Sequence, residues 1–381
     1  MYYITVKQSP LHHQMSLEEF LFGSKIKISD FCNPNETNTR TYAKENISEL
    51  FLGKVNIRKL IAKLDEFNRV YAPLFEKDRH ELYRTFYIPK KSGGLRRIDA
   101  PNAELMNALR YLKTIFEDDF GALYHTSAFA YVKKRSTIDA VKRHQSNESK
   151  WFGKFDLHNF FGSTTPEFVS HMFSMIFPFS EVMKNTLGRM QLEKALSLCF
   201  LDGVLPQGTP ISPLITNIMM IPVDYTLANA LHDFNNQRYI YTRYADDFII
   251  SSKYSFRFRS IEELIVSVLE SFNAPFTLNK EKTRYGSSAG SNWNLGIMLG
   301  KDNKLSIGYK KKKMFHAMLS NYVNDKLHGV DWDKSDVMVL EGYRNYYRMV
   351  EGEDIDGLVK HVGDKYGVDI VRLIKADLRE A

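Results

Sequence analysis

Two adjacent carboxylates, Asp246 and Asp247, interrupt a stretch of apolar, β-prone residues at 239–250. The pattern predicts two strands joined by a tight turn, and the turn carries both acids. A third acid, Asp156, ends another apolar run at 151–155. If the strands are neighbours in one sheet, the three carboxylates meet at one rim of that sheet.

Adjacent carboxylates raise each other's pKa, so a pair placed between apolar strands is costly unless a cation neutralises it. Three hard oxygen ligands without a His or Cys cluster suit Mg²⁺ or Mn²⁺. Two such ions about 4 Å apart would lower the pKa of an attacking 3′-hydroxyl and stabilise a departing pyrophosphate. The alternative is a solvated turn, where Asp is common. The strand flanks and the third acid favour metal.

The elements that would hold these acids follow one another between residues 150 and 300. Thr165 and Pro166 are the cap residue and first-turn proline of a predicted helix. Apolar residues from Ile261 to Phe272 recur with the period of a second helix. Strand, helix, strand pair, helix, strand is the order of a split βαβ sheet, so the sequence predicts an α+β fold.

The remaining residues divide into three further regions. Residues 1–70 are predicted to be mostly helical, because apolar residues from Ile57 to Phe67 fall at helical spacing. Residues 71–150 contain a predicted basic β-hairpin with a Gly-Gly turn. Residues 301–381 are predicted to be a small, separate helical subdomain.

The composition is that of a folded protein with a polyanionic partner. The chain of 381 residues is 44% apolar, enough to bury a substantial core. Its 52 Lys and Arg against 45 acidic residues give a formal charge of +7. The two cysteines, Cys32 and Cys199, predict neither a disulfide framework nor a zinc site. Without an apolar run of about 18 residues or a secretory leader, we expect a soluble cytoplasmic protein with no membrane partner.

The Tyr-Ala-Asp-Asp at 244–247 resembles the signature of prokaryotic reverse transcriptases, and five further blocks stand in that family's order. These blocks lie at 87–96, 155–161, 205–213, 278–283 and 294–297. The resemblance implies a right-hand polymerase that adds dNTPs to a primer 3′-hydroxyl on an RNA template. It implies an N-terminal helical extension at 1–70, fingers at 71–150, a split-βαβ palm at 151–300 and a helical thumb at 301–381.

The resemblance also implies roles for single residues in the polymerase. The metal ligands, for two Mg²⁺ or possible Mn²⁺ ions, would be Asp156, Asp246 and Asp247. Cationic residues of the fingers hairpin hold the incoming triphosphate in this family; here they are Lys90 and Arg96, although Lys91 fits the pattern as well as Lys90. An aromatic ring that excludes a 2′-hydroxyl would be Phe161, and a side chain against the nascent base pair would be Gln207.

Lysines complete the set of implied site residues. The one that would protonate the leaving pyrophosphate is Lys282, with Lys280 as the alternative. A basic run in the thumb would contact the backbone of the template and primer; it consists of Lys310, Lys311, Lys312 and Lys313. Each of these lysines could instead be a solvated surface residue.

Departures from known subgroups narrow the resemblance. Retron enzymes typically carry Asn-Ala-x-x-His and Val-Thr-Gly elements; this chain has Asp-Ala-Val-Lys-Arg-His at 139–144 and lacks the second. Diversity-generating enzymes usually alter the Gln-Gly and Ser-Pro positions, which are intact here, and group II intron proteins are longer. By elimination the chain resembles compact enzymes of antiviral defence, which implies a dedicated non-coding RNA template and an effector protein as partners.

Other functions are consistent with parts of the pattern. They are template-independent DNA synthesis, RNA-directed RNA synthesis, a retron enzyme making RNA-linked DNA, and a catalytically inactive scaffold that holds RNA. The aromatic Phe161 favours deoxynucleotides, because a bulky ring there would collide with a ribose 2′-hydroxyl. Three intact acids disfavour the scaffold, which has no need of mutually repelling carboxylates.

Overall fold

A computed structural model of the chain describes residues 3–4, 15–16, 56–90, 93–120, 124–288 and 293–379. Most of the predicted N-terminal extension, and Lys91 of the predicted fingers turn, lie outside the described residues. Within them, helices and strands are both abundant, which confirms the predicted α+β class.

The helices occur in every described region of more than a few residues. In chain order they are α1 (Ile57–Val70), α2 (Ala72–Glu76), α3 (Ala103–Phe120), α4 (Thr137–Ser146), α5 (Pro166–Phe173), α6 (Phe179–Lys184), α7 (Thr186–Ser197), α8 (Ser212–Met219), α9 (Ile221–Asp233), α10 (Phe258–Ser271), α11 (Tyr309–Leu327), α12 (Lys334–Tyr366) and α13 (Ile370–Arg379).

The strands form four small sheets among the described residues. In chain order they are β1 (Tyr3–Ile4), β2 (Met15–Ser16), β3 (Tyr83–Pro89), β4 (Leu95–Pro101), β5 (Trp151–Asp156), β6 (Tyr239–Tyr244), β7 (Asp247–Ser252), β8 (Arg284–Ser287), β9 (Trp293–Asn294), β10 (Ile297–Leu299) and β11 (Leu305–Ser306). The pairs β1-β2 and β3-β4 are antiparallel hairpins, and β11-β10-β9 is a small three-stranded sheet.

The fourth sheet has the order β6-β7-β5-β8 and carries the acids. Two backbone hydrogen bonds, Lys150 to Ser252 and Leu157 to Asp246, run in opposite sense along β5 and β7, so these strands are antiparallel. With α5–α9 after β5 and α10 after β7, the sequence of elements is strand, helices, strand pair, helix, strand. The split βαβ order predicted from the sequence is therefore confirmed.

The predicted helix starts are formed by the expected side chains. Thr165 accepts a hydrogen bond from the Phe168 backbone, with Pro166 in the first turn of α5. In α10 the buried positions Ile261, Ile265 and Leu269 follow the apolar stripe seen in the sequence. These helices form where they do because cap chemistry and the apolar period agree.

By contact density the chain forms two compact units. The first comprises Met1–Arg135, Lys154–Phe248 and Arg257–Thr283, and the second comprises Ser136–Gly153, Ile249–Phe256 and Arg284–Ala381. This division runs across β5 and β7, so it does not follow the boundaries expected at 150 and 300. The fourfold division into extension, fingers, palm and thumb stays a prediction.

In the first unit, helix α1 packs against α7. The Asn68 side chain donates to the backbone carbonyl of Gln191 at 2.9 Å, and the Gln191 side chain donates to Asp65 at 3.0 Å. Leu60, Leu64 and Phe67 are buried on the face of α1 that the helical spacing predicted. The second unit has its own apolar core, built on α11, α12 and β10.

Among the described residues, no single helix has the length and apolar character needed to cross a bilayer. The consecutive helices α8 and α9 meet that criterion only when joined, across a bend of 41°.

We expect Gly188→Ala to destabilise the first unit. A Cβ at Gly188 would lie 2.5 Å from the carbonyl oxygen of Val182 and 2.9 Å from Ile61 Cδ1, so backbone must shift. Such overpacking costs about 1–3 kcal/mol. The measurement is the free energy of unfolding in urea.

The matched control is Gly342→Ala, in the exposed interior of α12, where a Cβ meets nothing within 4 Å. There alanine should stabilise by about 0.5–1 kcal/mol, because glycine is the poorer helix former. Equal effects of the two substitutions would contradict the close α1–α7 packing.

Candidate active site

Asp156, the last residue of β5, lies between the two segments that bring the other site residues. The Leu157 amide donates to the Asp246 carbonyl at 3.0 Å, and the Asn279 amide donates to the Asp156 carbonyl at 2.7 Å. Asp156 is 6% exposed, whereas Asp246 and Asp247 are half-buried at the start of β7. The strand pairing thus brings the predicted acids to one rim of the sheet.

The turn between β6 and β7 consists of Ala245 and Asp246. The sequence predicted a turn that carries both acids, but Asp247 is the first residue of β7. Ala245 has φ = 57°, in the left-handed region that residues with a Cβ rarely adopt. Such a conformation costs of order 1 kcal/mol or more and persists only where the surroundings impose it.

The surroundings that impose the turn are a buried ion pair beneath it. Arg243 donates to both carboxylate oxygens of Asp224, at 2.8 and 2.7 Å, and both side chains are 0% exposed. The same guanidinium donates at 3.2 Å to the Ala245 carbonyl and to Asn217 Oδ1. Tyr241 donates its hydroxyl to Asp224 at 2.7 Å. This network fixes the backbone that presents Asp246.

The acids perturb one another's ionisation. Burial, followed by the charges of Asp246 and Asp156, raises the pKa of Asp247 to about 7. Burial also raises the pKa of Asp246, with a further contribution from Asp156. Lys154, on the same strand as Asp156, has its pKa lowered to about 8 by burial, against the opposing effect of Asp247. Burial and the neighbouring acids thus oppose the ionisation of Asp246 and Asp247 more strongly than the nearby lysines favour it.

Lys282 is the cation in direct contact with an acid. Its Nζ lies 2.8 Å from Asp156 Oδ1, and this hydrogen bond raises the pKa of Lys282. Lys280, the alternative considered from the sequence, lies in the same turn and is exposed. The structure thus brings Lys282 to the acids.

The three acids fit a divalent cation by their donor chemistry. Asp156 Oδ2 is buried and has no hydrogen-bond partner, which leaves a carboxylate oxygen available as a ligand. Carboxylates are the ligands that Mg²⁺ prefers. Within the described ranges, no group of three or more His, Cys, Asp or Glu side chains has an arrangement that could hold a metal ion as the side chains stand.

The predicted basic hairpin is formed by β3 and β4, with Ile88 opposite Arg96. Two backbone hydrogen bonds close the turn: the Lys90 carbonyl accepts from the Gly93 amide at 3.1 Å, and the Lys90 amide donates to the Gly94 carbonyl at 2.9 Å. The Lys90 side chain is exposed. The charge of Arg96 opposes the rise in the pKa of Asp246, so Arg96 lies close enough to act on the acids.

Gln207 and Gly208 lie against β4 of the same hairpin. The Asp99 amide donates to the Gln207 carbonyl at 2.7 Å. Gly208 has φ = 120°, and a Cβ there would lie 2.9 Å from the Asp99 carbonyl oxygen. Glycine is required because the two backbones touch. The half-buried Gln207 is thereby held beside the hairpin.

Phe160 and its neighbour Phe161 differ in burial. Phe160 is 2% exposed and packs on Phe276 with ring centroids 5.0 Å apart. Phe161 starts a one-turn 3₁₀ helix and is half-buried. Its ring is therefore partly available to a ligand.

In the second unit, the basic run 310–313 opens α11 but is not uniform. Lys310 and Lys313 are exposed. Lys311 donates to the Gly296 carbonyl at 2.8 Å, and Lys312 pairs with Glu351 and Asp354. Only part of the run is displayed on the surface, and its nucleic-acid role stays a prediction.

Sequence reasoning missed several residues of this site. Lys154 carried a signal, since residues two apart on a strand share a face and Asp156 was already chosen. The sequence contained no signal for the Arg243–Asp224 pair or for Tyr131, because their positions depend on contacts between residues distant in sequence. The charge of Asp246 contributes to raising the pKa of the Tyr131 hydroxyl.

A family model described as reverse transcriptase (RNA-dependent DNA polymerase) matches residues 88–315, which is more than half of the chain. The chain belongs to the reverse transcriptase family. It is therefore an RNA-directed DNA polymerase, a nucleotidyltransferase, as the sequence predicted. The matched residues include Asp156, Asp246 and Asp247.

Relatives include two retron reverse transcriptases of Escherichia coli. Retron Ec83 reverse transcriptase is 27% identical over 307 residues, which cover 77% of this chain and 89% of the relative. Retron Ec73 reverse transcriptase is 29% identical over 245 residues, covering 63% of this chain and 72% of the relative. The argument against a retron enzyme from two short elements is therefore not supported, since these enzymes resemble the chain over most of their length.

The solved structures that the chain matches include two telomerases. A Candida tropicalis apo telomerase has a TM-score of 0.46 and 12% identity, covering 80% of this chain and 62% of that chain. A Candida albicans telomerase in complex with a telomeric RNA fragment has a TM-score of 0.45 and 11% identity, covering 77% and 56%.

We expect Arg243→Met to destabilise the reverse transcriptase by about 3–5 kcal/mol, because it leaves the Asp224 carboxylate buried without its partner. The double substitution Arg243→Met with Asp224→Leu should recover part of that stability, yet keep DNA synthesis low, since the Ala245 carbonyl loses its donor. Unfolding in urea and primer extension measure the two effects.

The control is Arg259→Met, which breaks an ion pair with Glu263 whose side chains are 84% and 65% exposed. Its effect should stay within about 0.5 kcal/mol. If the double variant regained full activity with its stability, the pair would not be positioning the turn.

Proposed function

We propose that Asp156, Asp246 and Asp247 hold two Mg²⁺ ions, with Mn²⁺ as a possible substitute, and that the chain extends a primer on an RNA template. When bound, such ions activate a 3′-hydroxyl and stabilise the leaving pyrophosphate. The observation that carries the proposal is the placing of three mutually repelling carboxylates at one sheet rim, with the pKa of Asp247 raised to about 7.

We propose the roles of the other side chains from their positions together with the family resemblance. Lys282 holds its proton firmly beside Asp156, so we assign it the protonation of the leaving pyrophosphate. Arg96, facing Asp246 from the hairpin, and Lys90 at the hairpin turn hold the triphosphate. Phe161 limits the space at the 2′ position, and Gln207 contacts the nascent base pair.

The template is proposed from the relatives. Because the similar enzymes are named retron reverse transcriptases, we propose that the template is a dedicated structured RNA. We also propose that the enzyme works in the cytoplasm, in antiviral defence, together with an effector protein. If the enzyme is a retron reverse transcriptase, its product is a DNA strand linked to that RNA. The exposed Lys310 and Lys313 would add salt-dependent contacts with the nucleic-acid backbone.

We expect Asp246→Ala to abolish incorporation of labelled dNTPs with Mg²⁺, by at least about a thousandfold, because phosphoryl transfer depends on positioning and charge stabilisation. RNA binding should be largely retained. The measurements are primer extension and sequencing of RNA that copurifies with wild type and variant.

The control is Asp233→Ala, an exposed acid at the end of α9 that should leave synthesis unchanged. Synthesis by Asp246→Ala would overturn the catalytic assignment. Recovery of only random cellular RNA, with synthesis intact, would count against the dedicated template alone.

We expect Phe161→Ala to admit ribonucleotides, because the ring is half-buried at the site and its removal opens space for a 2′-hydroxyl. The ratio of dNTP to NTP incorporation should fall by at least about tenfold. Phe160→Leu is the matched control in the buried neighbour. An unchanged ratio in Phe161→Ala would place the gate elsewhere, and incorporation without any template would favour the template-independent alternative.

A further inference from the structure

The loop at 124–135 is anchored from several directions in the first unit. Arg135 donates to the carbonyls of His125 and Ala128, both at 2.6 Å. The Asn217 side chain donates to the Ala130 carbonyl at 2.6 Å. Asn217 also accepts from Arg243, so the network beneath the acid turn holds this loop as well.

The loop runs beside the acid-bearing strand in a defined direction. Ala128 forms a parallel bridge with Arg243: the Arg243 amide donates to Ser127 at 2.7 Å, and the Phe129 amide donates to the Arg243 carbonyl at 2.9 Å. In a parallel pair both chains advance together. The residues after Ala128 therefore advance toward the turn that holds Asp246.

Tyr131 is the residue that the loop presents there. It is 53% exposed and has φ = 58°, a genuine outlier for a bulky side chain. Its neighbours Ala128, Phe129 and Ala130 are all buried. A strained, exposed ring between firmly anchored residues indicates a position imposed for a ligand rather than for the core.

Two charged groups of the predicted nucleotide site, Asp246 and Arg96, affect the pKa of the Tyr131 hydroxyl. Burial is the main cause that raises its pKa; the charge of Asp246 adds to this effect and that of Arg96 opposes it. The ring is thus close enough to Asp246 and to Arg96 for both charges to act on it. Its hydroxyl stays protonated and can donate a hydrogen bond.

We propose that the ring of Tyr131 packs against the incoming dNTP, between Arg96 on the triphosphate side and Asp246 on the metal side. The assignment rests on the proposed function, because it takes the nucleotide site from there. Tyr131 is a nucleotide-contacting residue: it sets affinity for the dNTP through its aromatic face, and the hydroxyl contributes less. Stacking of an aromatic ring on a nucleotide is worth about a tenfold change in affinity or more.

The test compares three substitutions in the full chain. Tyr131→Asn and Tyr131→Gly remove the ring but accept a positive φ, and Tyr131→Phe keeps the ring and removes the hydroxyl. The matched control is Tyr254→Asn, because Tyr254 is 72% exposed and lies beyond the end of β7 opposite to Asp247. KM for dNTP and kcat are measured by primer extension. Calorimetry measures dNTP binding to the complex with a dideoxy-terminated primer, and thermal unfolding reports stability.

We expect Tyr131→Asn and Tyr131→Gly to raise KM for dNTP by about tenfold or more, with kcat changed less and the unfolding midpoint not lowered. Tyr131→Phe should stay within about threefold of wild type, and Tyr254→Asn should match wild type. An unchanged KM in both Tyr131→Asn and Tyr131→Gly would overturn the proposal. A lowered unfolding midpoint in both variants would also overturn it, because the ring would then serve stability.

Failure of the proposed function gives a different result. If the wild-type chain incorporates no dNTP, the polymerase proposal fails, whereas calorimetry still decides whether Tyr131 contacts a nucleotide. Loss of dNTP affinity in Tyr131→Gly would then support the contact by itself. Equal affinity in wild type and Tyr131→Gly would overturn it.

Discussion

Repulsion among three carboxylates held close together and partly buried is the constraint on which this site depends. Burial and like charge both raise the pKa of Asp247, so the protein must supply positive charge to keep the acids ionised. It does so from separate segments: Lys282 contacts Asp156 directly, while Lys154 and Arg96 act on the acids through their charge. The pKa values of Asp246 and Asp247 are nevertheless raised, so these cations do not fully offset burial and like charge. Under the proposed function, a bound divalent cation would supply the remaining positive charge.

A charged rim of this kind needs a rigid support, and the support is itself ionic. The buried Arg243–Asp224 pair has no solvent to relax into, so its geometry is fixed by hydrogen bonds to Tyr241 and to Asn217. Through one guanidinium and one amide it fixes the Ala245 carbonyl and the Ala130 carbonyl. Two strained positive-φ residues, in the acid turn and in the neighbouring loop, are held by the same network. Strain is tolerated because many bonds determine the backbone on either side.

The sequence could predict those features that depend on local order. The acid turn follows from two β-prone runs, the split βαβ order from alternating patterns, and the start of α5 from Thr165 and Pro166. A role for Lys282 beside the acids could be predicted only with the family resemblance. The pairing of Ala128 with Arg243 could not be predicted, since both lie in unremarkable segments far apart in the chain and their contact is set by tertiary packing. Consequently Tyr131 carried no signal of its position. The subgroup stays a prediction, because two short elements weigh less than similarity to retron enzymes over most of their length.

The basic run of α11 shows why a charge pattern alone is an incomplete guide to a binding surface. On a helix, Lys310 and Lys313 share a face, and both are exposed. Lys312 instead meets the buried Glu351, whose other carboxylate oxygen accepts from the Ile307 amide, at the point where α12 departs from helical geometry. A bend in a helix frees backbone groups and needs an identifiable cause. Here one lysine neutralises the acid at the bend, while two others remain displayed to solvent. The same four-lysine sequence therefore serves the packing of α11 on α12 and leaves a smaller cationic face exposed.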